Sequence, residues 1–228
     1  MKTFVVTIDG PAGCGKSTVS KLVAEKIGAS FLDTGAMYRA VTFLAEQAGF
    51  DLEDSIVISA MMDNAEFKFE PSGDKMVVMA RGLDITDYIR SREVTEKVHH
   101  IANNSDLREK LVEMQKDFAS QHKKIVTEGR DQGTVAFPDA DVKFFLTASV
   151  DCRTDRRVKQ LSENGVEVDR KIIFDAIEMR DERDSTRDDG PLIEADDAIT
   201  IDTTNLNIEQ AVEKLLCHIK QTADSKTS

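Results

Sequence analysis

The stretch GPAGCGKST, residues 10–18, follows the strand-like TFVVTIDG and runs into STVSKLVAEKIG, whose apolar residues recur with helical spacing. Gly10, Gly15, Lys16 and Ser17 stand at the spacing G-x-x-x-x-G-K-[ST], the pattern of a loop wrapped round nucleotide phosphates. Gly10, Gly13 and Gly15 carry no Cβ to keep backbone N–H groups from turning inward. Lys16 would bridge the outer phosphates, the Ser17 hydroxyl would ligate magnesium, and the following helix would add the positive end of its dipole. The expected ATP-contacting run is therefore Gly10, Pro11, Ala12, Gly13, Cys14, Gly15, Lys16, Ser17 and Thr18. A plain glycine turn is the competing account. The buried-looking strand before it and the helix after it favour phosphate.

The chain has 228 residues, of which 40% are hydrophobic and 32% charged, enough for one α/β core with a small appendage. No apolar run resembles a membrane span, and MKTFVVTIDG has no secretory cleavage region, so the cytoplasm is the expected compartment. Cys14, Cys152 and Cys217 are too few and too far apart for a disulfide framework or a zinc knuckle. The formal net charge of −12 argues against a nucleic-acid polymer as partner. A small phosphorylated ligand needs only a local pocket of arginines, and the charges here are locally uneven.

Working outward from the loop, SFLDTG reads as a second strand and AMYRAVTFLAEQAGF as a helix, with Thr34 as candidate N-cap and Gly49 as candidate C-cap. AEFKFE and KMVVMARG read as a hairpin about the turn PSGD. SREVTEKVHHIANN and SDLREKLVEMQKDFASQ read as helices. Alternation resumes with the strands KKIVTEG and DVKFFLTAS, a basic helix ending at Gly165, a charged helix over DRKIIFDAIEMRDERDSTR, the strand DAITIDTT and the helix NIEQAVEKLLCHIK. The tail QTADSKTS is expected to fray. Such alternation predicts a parallel sheet whose ligand loops share the carboxyl rim, so Gly10, Asp33, Gly129 and Thr203 should lie together.

Arginines carry the rest of the signal: Arg39, Arg108, Arg130, Arg153, Arg156, Arg157, Arg180, Arg183 and Arg187. Arg180 has Asp184 four residues on, and a solvated helix pair could account for it. Arg130, in TEGRDQG after a buried strand, has no structural need for its charge. Phosphoryl transfer between two phosphorylated molecules does need several cations, one set for the donor and a separate clamp for the acceptor. A hydrolase or switch GTPase would not need the second set, and no convincing N-K-x-D guanine-reading segment is present.

IDGPAGCGKST, FLDTGAMYRA, EGRDQGTVAFPDADVKFFLTAS, RRVKQL, RDERDSTR and IDTTNLNIEQ together resemble the bacterial cytidylate kinase family, over nearly the whole chain. The resemblance implies an α/β P-loop NTPase three-layer sandwich with a parallel core sheet. Its core would be residues 1–35 and 109–228, with a monophosphate-binding region at 36–108, a hairpin insert at 63–90 and a short lid at 153–165. It implies transfer of the γ-phosphate of ATP to CMP or dCMP by a monomer, with Mg2+ accompanying ATP. By motif, Tyr38, Arg39, Arg130 and Arg187 would surround the acceptor phosphate, Arg108 and Asp131 would read cytosine, and Arg180 and Asp184 would meet the sugar. Arg153 and Arg157 would belong to the lid over ATP; with Lys16, Arg130 and Arg187 they form the expected catalytic set. Two departures stand out. His99 stands where the family has a serine near the base, and Glu128 stands where it has a strand-terminal aspartate associated with magnesium, so that this acid, one methylene longer, would act through water. A kinase preferring UMP and a nucleotide-dependent interaction module remain the alternatives.

Overall fold

The strand leading into the phosphate loop, β1 (Phe4–Asp9), is buried from Val5 onward, as a strand covered on both faces should be. The computed structural model describes residues 3–72, 75–163 and 165–225. After β1 come α1 (Lys16–Ile27), β2 (Ser30–Asp33), α2 (Thr34–Gln47) and α3 (Ser55–Asp63). A small antiparallel unit follows, β3 (Lys68–Ser72), β4 (Lys75–Ala80) and β5 (Leu83–Asp84), and then α4 (Arg92–Ala102) and α5 (Ser105–Ser120). The chain returns through β6 (Lys124–Gly129), β7 (Val142–Thr147), α6 (Val150–Glu163), α7 (Arg170–Thr186), β8 (Ile199–Asp202) and α8 (Ile208–Ser225).

The main sheet is parallel, in the order β2-β6-β1-β7-β8. Its register sets Asp33 beside Glu128, Asp9 beside Gly129, and Thr147 beside Asp202. Gly10 and Thr203 follow immediately, so the expected rim forms. The period of two along β1 divides the core: Val5 joins Met37, Val41, Ile58 and Leu107 on one face, while Val6 and Ile8 join Val19, Val23 and Leu215 on the other. Met76 and Val78 of β4 belong to the first cluster, so residues 36–108 share an apolar core with the sheet. No helix among the described residues is long and apolar enough to cross a membrane.

Several local expectations are corrected. Asp33, not Thr34, caps α2: its carboxylate accepts from the Ala36 N–H at 2.8 Å. Strand β2 passes into the helix without a linker, so its last residue takes the cap, and the Thr34 hydroxyl donates to the Glu128 carbonyl at 2.8 Å instead. Gly49 takes a left-handed φ of 69° just after the cap residue Ala48. Pro71 and Ser72 are not turn residues but pair with Met76 and Lys75; β3 is an edge strand, where proline is tolerated. The remaining turn positions, Gly73 and Asp74, lie outside the described residues. Helix α8 continues through QTADS to Ser225, and the last three positions of the tail lie outside the described residues. Helix α3, capped by the Asp54 carboxylate accepting from Val57 N–H at 3.1 Å, had no clear period in its nearly unbroken apolar run.

Candidate active site

The phosphate loop is shaped by what holds its carbonyls. Gly10 has a φ of 146°, and a Cβ there would collide with the Leu146 carbonyl of β7. Arg153 Nη1 donates to the Ala12 carbonyl at 3.1 Å, and the Thr203 hydroxyl donates to that of Cys14 at 3.0 Å. In a trans peptide the N–H opposes the C=O, so the Gly13 and Gly15 N–H groups face the loop's other side. Lys16 is buried and donates to the Pro11 carbonyl at 2.7 Å. Burial pushes its ammonium below the ordinary lysine value and the Arg130 guanidinium pushes the same way, against Cys14 and Glu128.

Lys16 is the first of a group of mutually repelling cations. Arg130 Nε donates to Asp184 at 2.7 Å, and Arg180 reaches the same carboxylate at 4.0 Å. Burial, then Arg130, pushes Arg180 down to about 10, with Arg39 adding to the fall. Arg39 sits 3.5 Å from the buried Asp33 carboxylate, and its Nε has no partner among the described residues. Crowding cations is unfavourable unless an anion answers them, and a phosphate group carries charge of the sign that would do so.

A second group lies beside it. Arg108 and Asp131 form a buried ion pair, Arg187 stands 3.8 Å from the same carboxylate, and Asp189 is 3.4 Å from Arg108 Nε. The Arg108 guanidinium lies 5.9 Å from the Tyr38 ring centroid. Burial pushes the Tyr38 hydroxyl up to about 12. Arg187 Nε donates to the Gly190 carbonyl at 2.6 Å. Gly190 has a φ of 56°, and a Cβ there would strike both Arg108 and Asp131, so only glycine lets this segment close over the pair. His99 is half-buried, with Nδ1 donating to the Glu96 carbonyl at 2.8 Å, its ring 4.1 Å from that of His100, and Arg183 within electrostatic range.

The arginines of α6 separate by burial. Arg153 is engaged by the Ala148 and Ala12 carbonyls and by Asp181 at 2.5 Å. Arg156 donates to the Thr203 carbonyl at 2.6 Å. Arg157 is exposed on the helix and donates to Gln160. Nothing in the sequence spacing signalled Arg90, whose Nη2 reaches Asp33 at 2.8 Å across 57 positions, or Asp181 as partner of Arg153.

Among the described residues, no group of three or more His, Cys, Asp or Glu could hold a metal ion. Ser17, in the first turn of α1, and Glu128, at the end of β6, supply a hydroxyl and a carboxylate near Lys16. That sparse oxygen set fits magnesium, which keeps waters and takes substrate phosphates as ligands.

The sequence model of the family described as cytidylate kinase matches residues 6–221. A cytidylate kinase of Streptococcus pneumoniae (strain 70585) is 46% identical over 217 residues, covering 94% of this chain and 96% of that protein. One from Shouchella clausii (strain KSM-K16) is 44% identical over 220 residues, covering 96% and 97%. Among solved structures, an uncharacterised protein from Eubacterium ventriosum shares the fold, with a TM-score of 0.52 at 15% identity, covering 96% of this chain and 99% of that one. Likeness along nearly the full length of both partners takes in the antiparallel unit β3–β5 and helices α6 and α7 as well as the phosphate loop, and the chain belongs to the cytidylate kinase family.

Proposed function

We propose that the protein transfers the γ-phosphate of ATP to CMP or dCMP, giving ADP and CDP or dCDP. The observation that carries this reading is the convergence of Lys16, Arg39, Arg130 and Arg180 at the sheet's carboxyl rim, where each lowers or feels another's charge. The loop N–H groups and Lys16 hold the donor phosphates. Arg39, Arg130 and Arg187 hold the acceptor phosphate, and its oxygen attacks directly, so no protein nucleophile is needed. Bound with ATP by Ser17 and, through water, Glu128, Mg2+ supplies neutralising charge.

Asp131 accepts from the cytosine amino group and Arg108 donates to the ring acceptors; uracil offers a carbonyl where the amino group would be. Tyr38 joins the acceptor-phosphate set, His99 borders the base pocket, and Arg180 with Asp184 meets the sugar. Arg153 acts through the loop backbone it grips, and Arg157, exposed on α6 and held by Gln160 of its own helix, reaches ATP. The segment 153–165 serves as the lid, with Asn164 outside the described residues. Residues 36–108 bind the monophosphate, and 1–35 with 109–228 form the core. The proposed enzyme acts as a monomer in the cytoplasm.

Coupled ADP-release assays across CMP, dCMP, UMP, AMP and GMP test the reading. ADP release that grows only with CMP or dCMP supports it. Preference for UMP overturns the base assignment, and equal slow hydrolysis without an acceptor overturns transfer itself.

A further inference from the structure

Asp9, the last residue of β1, makes two contacts that the transfer chemistry above does not use. Its Oδ1 accepts from the Gln132 N–H at 2.9 Å and its Oδ2 from the Gly133 N–H at 2.7 Å. The carboxylate is 5% exposed. Burial pushes its carboxyl up to about 6, against the two N–H groups that favour the charged form; Asp131 adds to the rise and Lys16 opposes it. An acid kept charged in such surroundings needs a reason. The next residue is Gly10, whose backbone is pressed against Leu146, so the end of β1 cannot shift without moving the phosphate loop. The Gln132 N–H belongs to the peptide plane that also carries the Asp131 carbonyl. One side chain therefore connects the root of the donor loop to the residue that faces the acceptor base.

We propose that Asp9 is a positioning residue that sets where the acceptor sits relative to the donor phosphates, by clamping the turn after Asp131 to the strand that carries the phosphate loop. This rests on the assignment of Asp131 to the base. The turn is fixed from its other side by Gln132, whose Oε1 accepts from the Thr127 hydroxyl at 2.9 Å and whose Nε2 donates to Gln115 at 3.2 Å. Asp9 thus supplies a side-chain tie from this turn directly to β1, beyond the pairing of β6 with β1 that ends at Gly129. Two successive amides on two carboxylate oxygens fix both the height and the tilt of the peptide plane, which a single bond would not.

The test is Asp9→Asn, which keeps the size but turns an NH2 group toward one of the two amides. Loss of one charge-assisted bond should raise KM for CMP about tenfold and lower the CMP/UMP ratio of kcat/KM, with KM for ATP changed by less than about threefold. An unchanged KM for CMP together with an unchanged ratio overturns the proposal. So does an equal rise for ATP and CMP, which marks a merely structural residue. Asp131→Asn is measured alongside. If it leaves the CMP/UMP ratio unchanged, the base assignment has failed, and Asp9 is then judged by the split between the two KM values alone. Should Asp9→Asn not fold, Gly133→Ala decides. Its methyl would meet Thr7 Oγ1 at 3.0 Å, Lys143 Cδ at 3.2 Å and Asp9 Oδ2 at 3.4 Å, pressing the turn off its clamp, and the same acceptor-only defect is expected.

Discussion

Replacing Arg153 by alanine separates two roles that a lid arginine could have. Arg153 is 3% exposed and holds the Ala148 carbonyl at 3.0 Å, the Ala12 carbonyl at 3.1 Å and Asp181 at 2.5 Å. Breaking a buried pair by removing one partner costs about 3–5 kcal/mol, because the other charge is left behind. Asp181 keeps 23% of its side-chain surface and can recover some hydration, which favours the lower end, about 3 kcal/mol. For a chain of this length each kcal/mol shifts the midpoint by roughly 2–4 °C, so Arg153→Ala should melt about 6–12 °C lower. Freed of its grip on Ala12, the loop should also bind ATP more weakly, with KM for CMP little changed. Arg157→Ala, on the exposed face, should stay within about 0.5 kcal/mol of the parent. Thermal melts and ATP titrations on both variants provide the measurement. A melting point for Arg153→Ala within a degree or so of the parent, with transfer nevertheless lost, would refute the anchoring argument and put this guanidinium on the substrate.

Lys16→Met should fold and yet transfer phosphate slower by orders of magnitude, since the stem is kept and the charge on the donor phosphates is lost; single-turnover rates and an intact thermal transition check this. Arg130→Ala leaves Asp184 to Arg180 and opens the acceptor clamp, so KM for CMP should rise about tenfold or more while ATP binding holds, as titration of each nucleotide would show. Burial opposes the charged form of Asp184, but Arg130, Arg180 and Arg187 outweigh it and hold its carboxyl below the ordinary value. Its stabilising contribution is therefore complete above about pH 4, where the unfolded chain ionises, and fades as pH falls through the lower folded value. Urea midpoints measured downward from pH 5 should drop more steeply for the parent than for Asp184→Asn.

The alternation of strands and helices was legible because buried strands, helical spacing and glycine punctuation all agreed, and the phosphate loop because its function depends on residues close together in sequence. What escaped was set by contacts distant in sequence. Arg153 and Arg157 are one helical turn apart and look alike as text; only the packing of α7, with Asp181, buries one and leaves the other in solvent. Asp9 meets its amides across more than 120 positions, and no spacing rule connects them. Arg90 lies past a hairpin whose path to the rim follows from its apolar face packing on β2, again a tertiary fact. Asp33 was placed on the rim correctly, but its capping of α2 depended on how abruptly the strand turns into the helix.

The closed set of Arg108, Asp131, Arg187 and the Gly190 carbonyl turns recognition into an exchange. With Arg108 and Asp131, the proposed base readers, paired to each other and flanked by Asp189 and Arg187, an incoming pyrimidine competes with internal partners, among them the chain's own 187–190 segment. Every candidate base is thus weighed against the same resident competitor. One that offers the wrong edge leaves that competitor in place, so discrimination arises from failure to displace as much as from poor fit.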